Sequence, residues 1–190
     1  AASHNVSATL LNAWLSYLGI AGGPVTIDGY MQQKQEKLET YEFVKGWVAA
    51  DALSILANSS DTLVRVPGDM APHSVAVHPA PNRRVIVGWK SPADGSYVFQ
   101  GRVQRAHMAC GNGVNWVLEL RQGNSRRPLA SGTADGPDNA PFGPFESVRL
   151  RKGDVAALVI SPRDGNHSCD LTAIDLSITA TTAADQQGLA

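Results

Sequence analysis

The residues best equipped for chemistry lie in two short stretches, HMACGNG at 107–113 and SPRDGNHSCD at 161–170. Each pairs a histidine with a cysteine: His107 with Cys110, and His167 with Cys169. Two chemistries suit that set. A Cys110–Cys169 disulfide would close a loop of about 60 residues and contribute about 4 kcal/mol by restricting the unfolded chain. Alternatively, two thiolates and two imidazoles make a tetrahedral zinc set from His107, Cys110, His167 and Cys169. The spacing is not that of the usual zinc modules, so the disulfide is the leading expectation. The second stretch also offers hard oxygen ligands. Asp164, Asn166 and Asp170, with Gly165 allowing a tight backbone, suit a structural calcium ion. The pattern lacks the length and terminal glutamate of an EF-hand loop. Its plainer reading is an Asx turn ahead of a strand.

Catalytic patterns are missing. The chain holds five histidines but no G-x-S-x-G, H-E-x-x-H, phosphate loop or G-x-G-x-x-G. His73 and His78 bracket SVAVH and fall on opposite faces of a strand, so they do not pair. Glu119 is the carboxylate to watch for glycoside chemistry. Its ordinary role is an ion pair with Arg102 or Arg121. No catalytic residue is assigned, and the chain reads as a non-enzyme.

The elements that would carry these groups are mainly strands. One helix is expected near the start, where Ser7 caps NVSATLLNAWLSYLGIAGG and Leu10, Leu11, Trp14, Leu15 and Leu18 share a stripe. A short strand, VTIDGY, follows, then the polar MQQKQEKLETYEF, and a short helix fits 49–57. Beyond it come TLVRV, SVAVH, RRVIVGW, SYVFQGRVQRA, GVNWVLELRQ, SVRL, VAALVI and LTAIDLSI. Turns at 67–69, 93–95, 122–124 and 152–154 separate them, the spacing of a sandwich or barrel. VAALVI is apolar on both faces and predicts a central strand covered on each side. Trp14 and Trp116 are expected in the core.

If the strands of 97–104 and 114–121 share a sheet, their outward residues form one polar surface: Gln100, Arg102, Gln104, Asn115, Glu119 and Arg121. Trp89 or Tyr97 would supply a ring for stacking on sugar. Arginine forks at such a face suit uronates or sulfate esters.

Bulk properties narrow the classes. Sixteen basic against seventeen acidic residues give a net charge of −1, so no overall field attracts nucleic acid or an anionic membrane. No apolar run approaches the roughly 20 residues needed to span a bilayer. The opening AASHNVSATLL shows no signal peptide and reads as the edge of an excised or processed piece. The division expected is 1–24 helix and turn, 25–179 sandwich, and 180–190 flexible tail or linker.

The segments VGWKSPADGSYVFQGRVQRAHMACGNGVNWVLELRQG and SVRLRKGDVAALVISPRDGNHSCDLTAIDLSI resemble jelly-roll, carbohydrate-binding-module-like accessory domains. Such domains occur in planctomycete-type multidomain cytochrome c proteins. The motifs are W-x-S-P-x-D-G (89–95), G-x-G-V-x-W (111–116), the K-G-D turn and G-N-H-S-C-D-L-T, and the likeness spans roughly residues 6 to 179. It implies a jelly roll, an oxidising compartment that favours the disulfide, and neighbouring catalytic or redox domains. No C-x-x-C-H is present, so no c-type haem is expected on this chain.

The expectation is therefore an all-β antiparallel β-sandwich, a jelly roll with an N-terminal α-helix. Its expected role is a non-catalytic polysaccharide-binding module, with acidic polysaccharides among the expected ligands, within a larger secreted, periplasmic or cell-surface protein. The alternative is an interaction domain docking onto other domains of that protein through the helix stripe. A hydrolase or lyase on the same scaffold ranks third.

Overall fold

The computed structural model describes residues 7, 10, 11, 14, 15, 29–123, 125–138 and 140–181. Thirteen strands are formed among them: β1 (Lys34–Gln35), β2 (Val44–Val48), β3 (Ser54–Asn58), β4 (Val64–Arg65), β5 (Asp69–Met70), β6 (Ser74–His78), β7 (Val85–Lys90), β8 (Gly95–Arg105), β9 (Val114–Gln122), β10 (Ser125–Ala134), β11 (Ala140–Leu150), β12 (Val155–Pro162) and β13 (Thr172–Ala180). One sheet runs β1-β2-β3-β6-β13-β8-β11, the other β10-β9-β12-β7, and β4-β5 is a small ribbon. The strand pairings are antiparallel. From β6 onward the chain changes sheet at every connection except the β9–β10 hairpin. That wrapping is a jelly roll, with β1 to β3 widening the first sheet.

Alternation explains why the sheets face each other. Tyr97, Phe99 and Val103 of β8 and Trp116, Leu118 and Leu120 of β9 all enter one buried cluster, joined by Ala156, Leu158 and Ile160 of β12. Each large side chain buried there contributes about 1.5–3 kcal/mol. Gly101 is needed at the centre. A methyl group there would collide with the Asp175 carbonyl oxygen and the Phe142 ring, so Phe142 can lie on the strand and reach Trp116, 5.2 Å away between ring centres. A second, smaller core of Val44, Leu56, Val64, Met70, Ala76 and Leu171 lies on the other side of the first sheet. There the β4–β5 ribbon supplies Val64 and Met70.

Several expectations change. The short helix expected over 49–57 is instead a turn leading into β3, whose SILAN pairs with both β2 and β6. β10 was not expected, because SRRPLASGTA lacks alternation and contains Pro128. It is an edge strand with one partner, where a proline displaces no ladder bond on its free side. Of VTIDGY, residues 25–28 lie outside the described residues, and Gly29 and Tyr30 are not in a strand. Of the N-terminal stripe, Leu10, Leu11, Trp14 and Leu15 are described and helical. The Leu11 amide donates to the Ser7 carbonyl at 2.9 Å, and the Leu10 amide to the Ser7 hydroxyl at 3.4 Å. Leu18 and the rest of that element lie outside the described residues. Trp14, expected in the core, is 58% exposed. The tail from 182 onward is also outside the described residues.

Cys110 and Cys169 are disulfide-bonded, 59 residues apart in sequence, so the zinc set built on both thiolates is ruled out. Replacing both cysteines by serine should remove about 4 kcal/mol of stability. Denaturant unfolding of the double variant checks this, and an unchanged midpoint would contradict it.

Candidate functional site

The disulfide sits at one end of the first sheet. There the last residue of β6, the start of β13 and the end of β8 lie side by side, since Val77 pairs with Thr172 and Thr172 with Arg105. Three histidines collect at this end: His78 closes β6, His107 follows β8 and His167 precedes β13. The two loops approach backbone to backbone, because a side chain on Gly111 would strike the Ser168 carbonyl oxygen. Arg105 is buried here, its guanidinium donating to the Asp135 carbonyl at 3.1 Å and to the Cys110 carbonyl.

Asp170 follows the disulfide and is fully buried, with no hydrogen bond to either carboxylate oxygen. Burial raises its pKa from 3.8 to about 6, against the pull of Arg105. Of the three residues offered for calcium, Asp164, Asn166 and Asp170, only Asp170 is buried. The Asp164 carboxylate is exposed and the Asn166 side-chain oxygen accepts the Ser168 amide at 3.0 Å, as in an Asx turn. Among the described residues, no three His, Cys, Asp or Glu side chains are gathered to hold a metal ion.

The single polar surface expected from β8 and β9 does not exist, because the two strands lie in different sheets. Gln100, Arg102 and Gln104 point outward from the first sheet. Asn115, Glu119 and Arg121 point outward from the second, on the opposite side of the sandwich. Arg102 stands 3.7 Å from Asp175 in a solvated pair, and the Gln104 amide donates to the Pro137 carbonyl at 2.9 Å. The expected stacking rings also turn inward. Tyr97 is in the core with its hydroxyl donating to the Ala93 carbonyl at 3.0 Å. Trp89 packs edge-on against it at 5.1 Å. Neither ring can offer a face to a sugar on the outer surface.

The outer face of the second sheet has its own order, legible from the register. Arg126, Arg121, Val155 and Lys90 form one row across β10, β9, β12 and β7. Pro128, Glu119, Ala157 and Gly88 form the next, then Ser131, Val117, Val159 and Ile86. Thr133, Asn115 and Ser161 complete it, with the Thr133 hydroxyl donating to Asn115 at 3.0 Å. Val155, Ala157 and Val159 are buried with Val117 packed on them. Gly88, Lys90, Arg126, Pro128 and Asn115 remain exposed at the flanks. The middle row, floored by Ala157 and Gly88, carries the smallest side chains, between a cationic row and an apolar one.

The charged pair beside that floor is fixed. Arg121 donates through Nε and Nη2 to the same Glu119 oxygen, both at 2.8 Å, and the two side chains are only 8% and 16% exposed. Sequence reasoning paired Glu119 with Arg102 or Arg121, and Arg121 is the partner. It missed Lys90, Arg126 and Gly88. Only the register across β7, β12, β9 and β10 brings them together.

No family model matches the chain, and no curated protein matches it. Among solved structures, a family 61 carbohydrate-binding module in complex with β-1,4-galactotriose overlaps 80% of this chain and 92% of its own, at 12% identity and a TM-score of 0.45. A family 51 module from a Clostridium perfringens GH95 protein, in complex with methyl-galactose, overlaps 86% and 98%, at 9% identity and a TM-score of 0.41. The C-terminal family 6 module of a marine laminarinase from Zobellia galactanivorans overlaps 77% and 98%, at 15% identity and a TM-score of 0.28. The sandwich itself rests on the strand pairing, not on these overlaps.

A carboxylate whose folded pKa is raised stabilises the fold fully below its unfolded pKa, and that contribution is lost as pH rises through the folded value. For Asp170 the window runs from about pH 4 to about pH 6. Relative to wild type, Asp170→Asn should therefore gain stability as pH rises through that window and level off above it. Melting temperatures of both proteins from pH 4 to 8 test this, and a gap independent of pH would contradict it.

Proposed function

We propose that this domain is a non-catalytic polysaccharide-binding module, and that its glycan lies on the outer face of the second sheet. The observation that carries the reading is the Glu119–Arg121 pair, held almost dry beside a floor of Ala157 and Gly88. Ligand sites combine an apolar floor with a few fixed polar groups, and this face has that composition. Glu119 has a second carboxylate oxygen to accept a sugar hydroxyl. Lys90 and Arg126, both exposed in the adjoining row, would meet a uronate or sulfate ester. The role assigned to Gln100, Arg102 and Gln104 in the expected surface is not retained, since they lie across the sandwich.

The disulfide fits an oxidising compartment, which supports a secreted, periplasmic or cell-surface setting; the parent in this reading is a larger protein such as a multidomain cytochrome c. The alternative, docking onto a neighbouring domain, draws on the helical residues Leu10 and Trp14, each more than half exposed.

Affinity electrophoresis against neutral, uronic and sulfated polysaccharides tests the reading. Retardation by an acidic glycan, without shortening of its chains, is expected. Lys90→Ala and Arg126→Ala should each weaken it several-fold, and Arg102→Ala should leave it unchanged. Loss of retardation in Arg102→Ala alone would move the site to the first sheet. No retardation by any glycan would sink the binding reading in favour of docking.

A further inference from the structure

The disulfide removes both cysteines from the metal set first suggested by sequence, yet it tethers the two loops that carry His107 and His167. The fold adds His78, which sequence spacing had set aside. Its ring and that of His167 stand 6.0 Å apart between centres and perpendicular, at 89°. In a tetrahedral site with metal–nitrogen bonds of ~2.0–2.1 Å, two imidazole centres lie ~5 Å apart. The pair stands about 1 Å wider than that, so chelation requires the rings to draw together on binding.

The state of His78 suits ligation. Its Nδ1 lies 2.8 Å from the Pro79 carbonyl oxygen. A carbonyl only accepts, so Nδ1 carries the proton and Nε2 keeps its lone pair. A backbone carbonyl on the far ring nitrogen is the common way to orient a metal-bound histidine. Arg105 is buried at this same end, with its guanidinium on the Cys110 carbonyl. Arg105 shares a face with Thr172 and Val77, whereas His78, next in β6, belongs to the opposite face.

We propose that His78 and His167 chelate one divalent transition-metal ion of the class that imidazole selects, zinc or copper, with water in the remaining positions. The site is independent of the glycan face, being at the end of the other sheet. Isothermal titration of Zn²⁺ and of Cu²⁺ into the intact domain tests it. One equivalent should bind to wild type, and His78→Ala and His167→Ala should each weaken binding at least tenfold. His73→Ala should not, since His73 is turned toward Asp61 at 2.6 Å. Wild type without a saturable single site would overturn the proposal, as would equal weakening by His73→Ala. Should His78→Ala fail to fold, His167→Ala, altered only in a loop, decides the matter.

Discussion

Val155 to Ile160 must be buried on both sides, and much of the molecule is arranged around that requirement. The inward residues Ala156, Leu158 and Ile160 join the main core, while Val155, Ala157 and Val159 face outward and are still dry. A strand of this kind is stable only in the middle of a sheet, which is where β12 lies, between β9 and β7. Its dry outer face then dictates its neighbours. A charge beside it is costly unless paired, and Glu119 meets Arg121 there in a nearly buried ion pair. The same constraint that protects β12 thus prepares a rigid polar group next to an apolar floor.

The opposite end of the molecule obeys a different rule. At the ends of β6, β13 and β8 the chain leaves the first sheet through polar loops, which have little apolar surface to hold them. The Cys110–Cys169 bond replaces that missing packing. Close backbone contact at Gly111 and the guanidinium of Arg105 on the Cys110 carbonyl complete the knot. Asp170 is the cost of this arrangement, a carboxylate buried without a hydrogen-bond partner. Rigid loops in turn fix the histidines that they carry.

The sequence made the strands of the jelly roll legible wherever one face was buried and the other wet. Trp116 is expected in the core and lies there, and with Gln100, Arg102, Asn115 and Glu119 facing out, Phe99, Val103, Leu118 and Leu120 are inside. The two-faced apolar run of β12 was equally plain, as was the disulfide once an oxidising context was assumed. β10 was hidden, because an edge strand with Pro128 needs no alternation. β3 was mistaken for a helix because its short apolar run does not distinguish the two periods. The site was read only in part, for a reason of topology. Consecutive strands β8 and β9 look like neighbours, yet the jelly roll sends them to opposite sheets. Gln100 and Arg102 were therefore grouped with Asn115 and Arg121. Their true companions, Lys90 and Arg126, come from strands distant in sequence, and pairing register is not written in any local pattern.

The central claim is that ligand binds the outer face of the second sheet. Amide chemical-shift mapping of the isotope-labelled domain, titrated with short oligogalacturonates, tests it most directly. Shifts gathered at Gly88, Glu119, Arg126 and Ala157, with the first sheet quiet, are expected. Shifts centred on Gln100, Arg102 and Asp175, or none across either face, would contradict it.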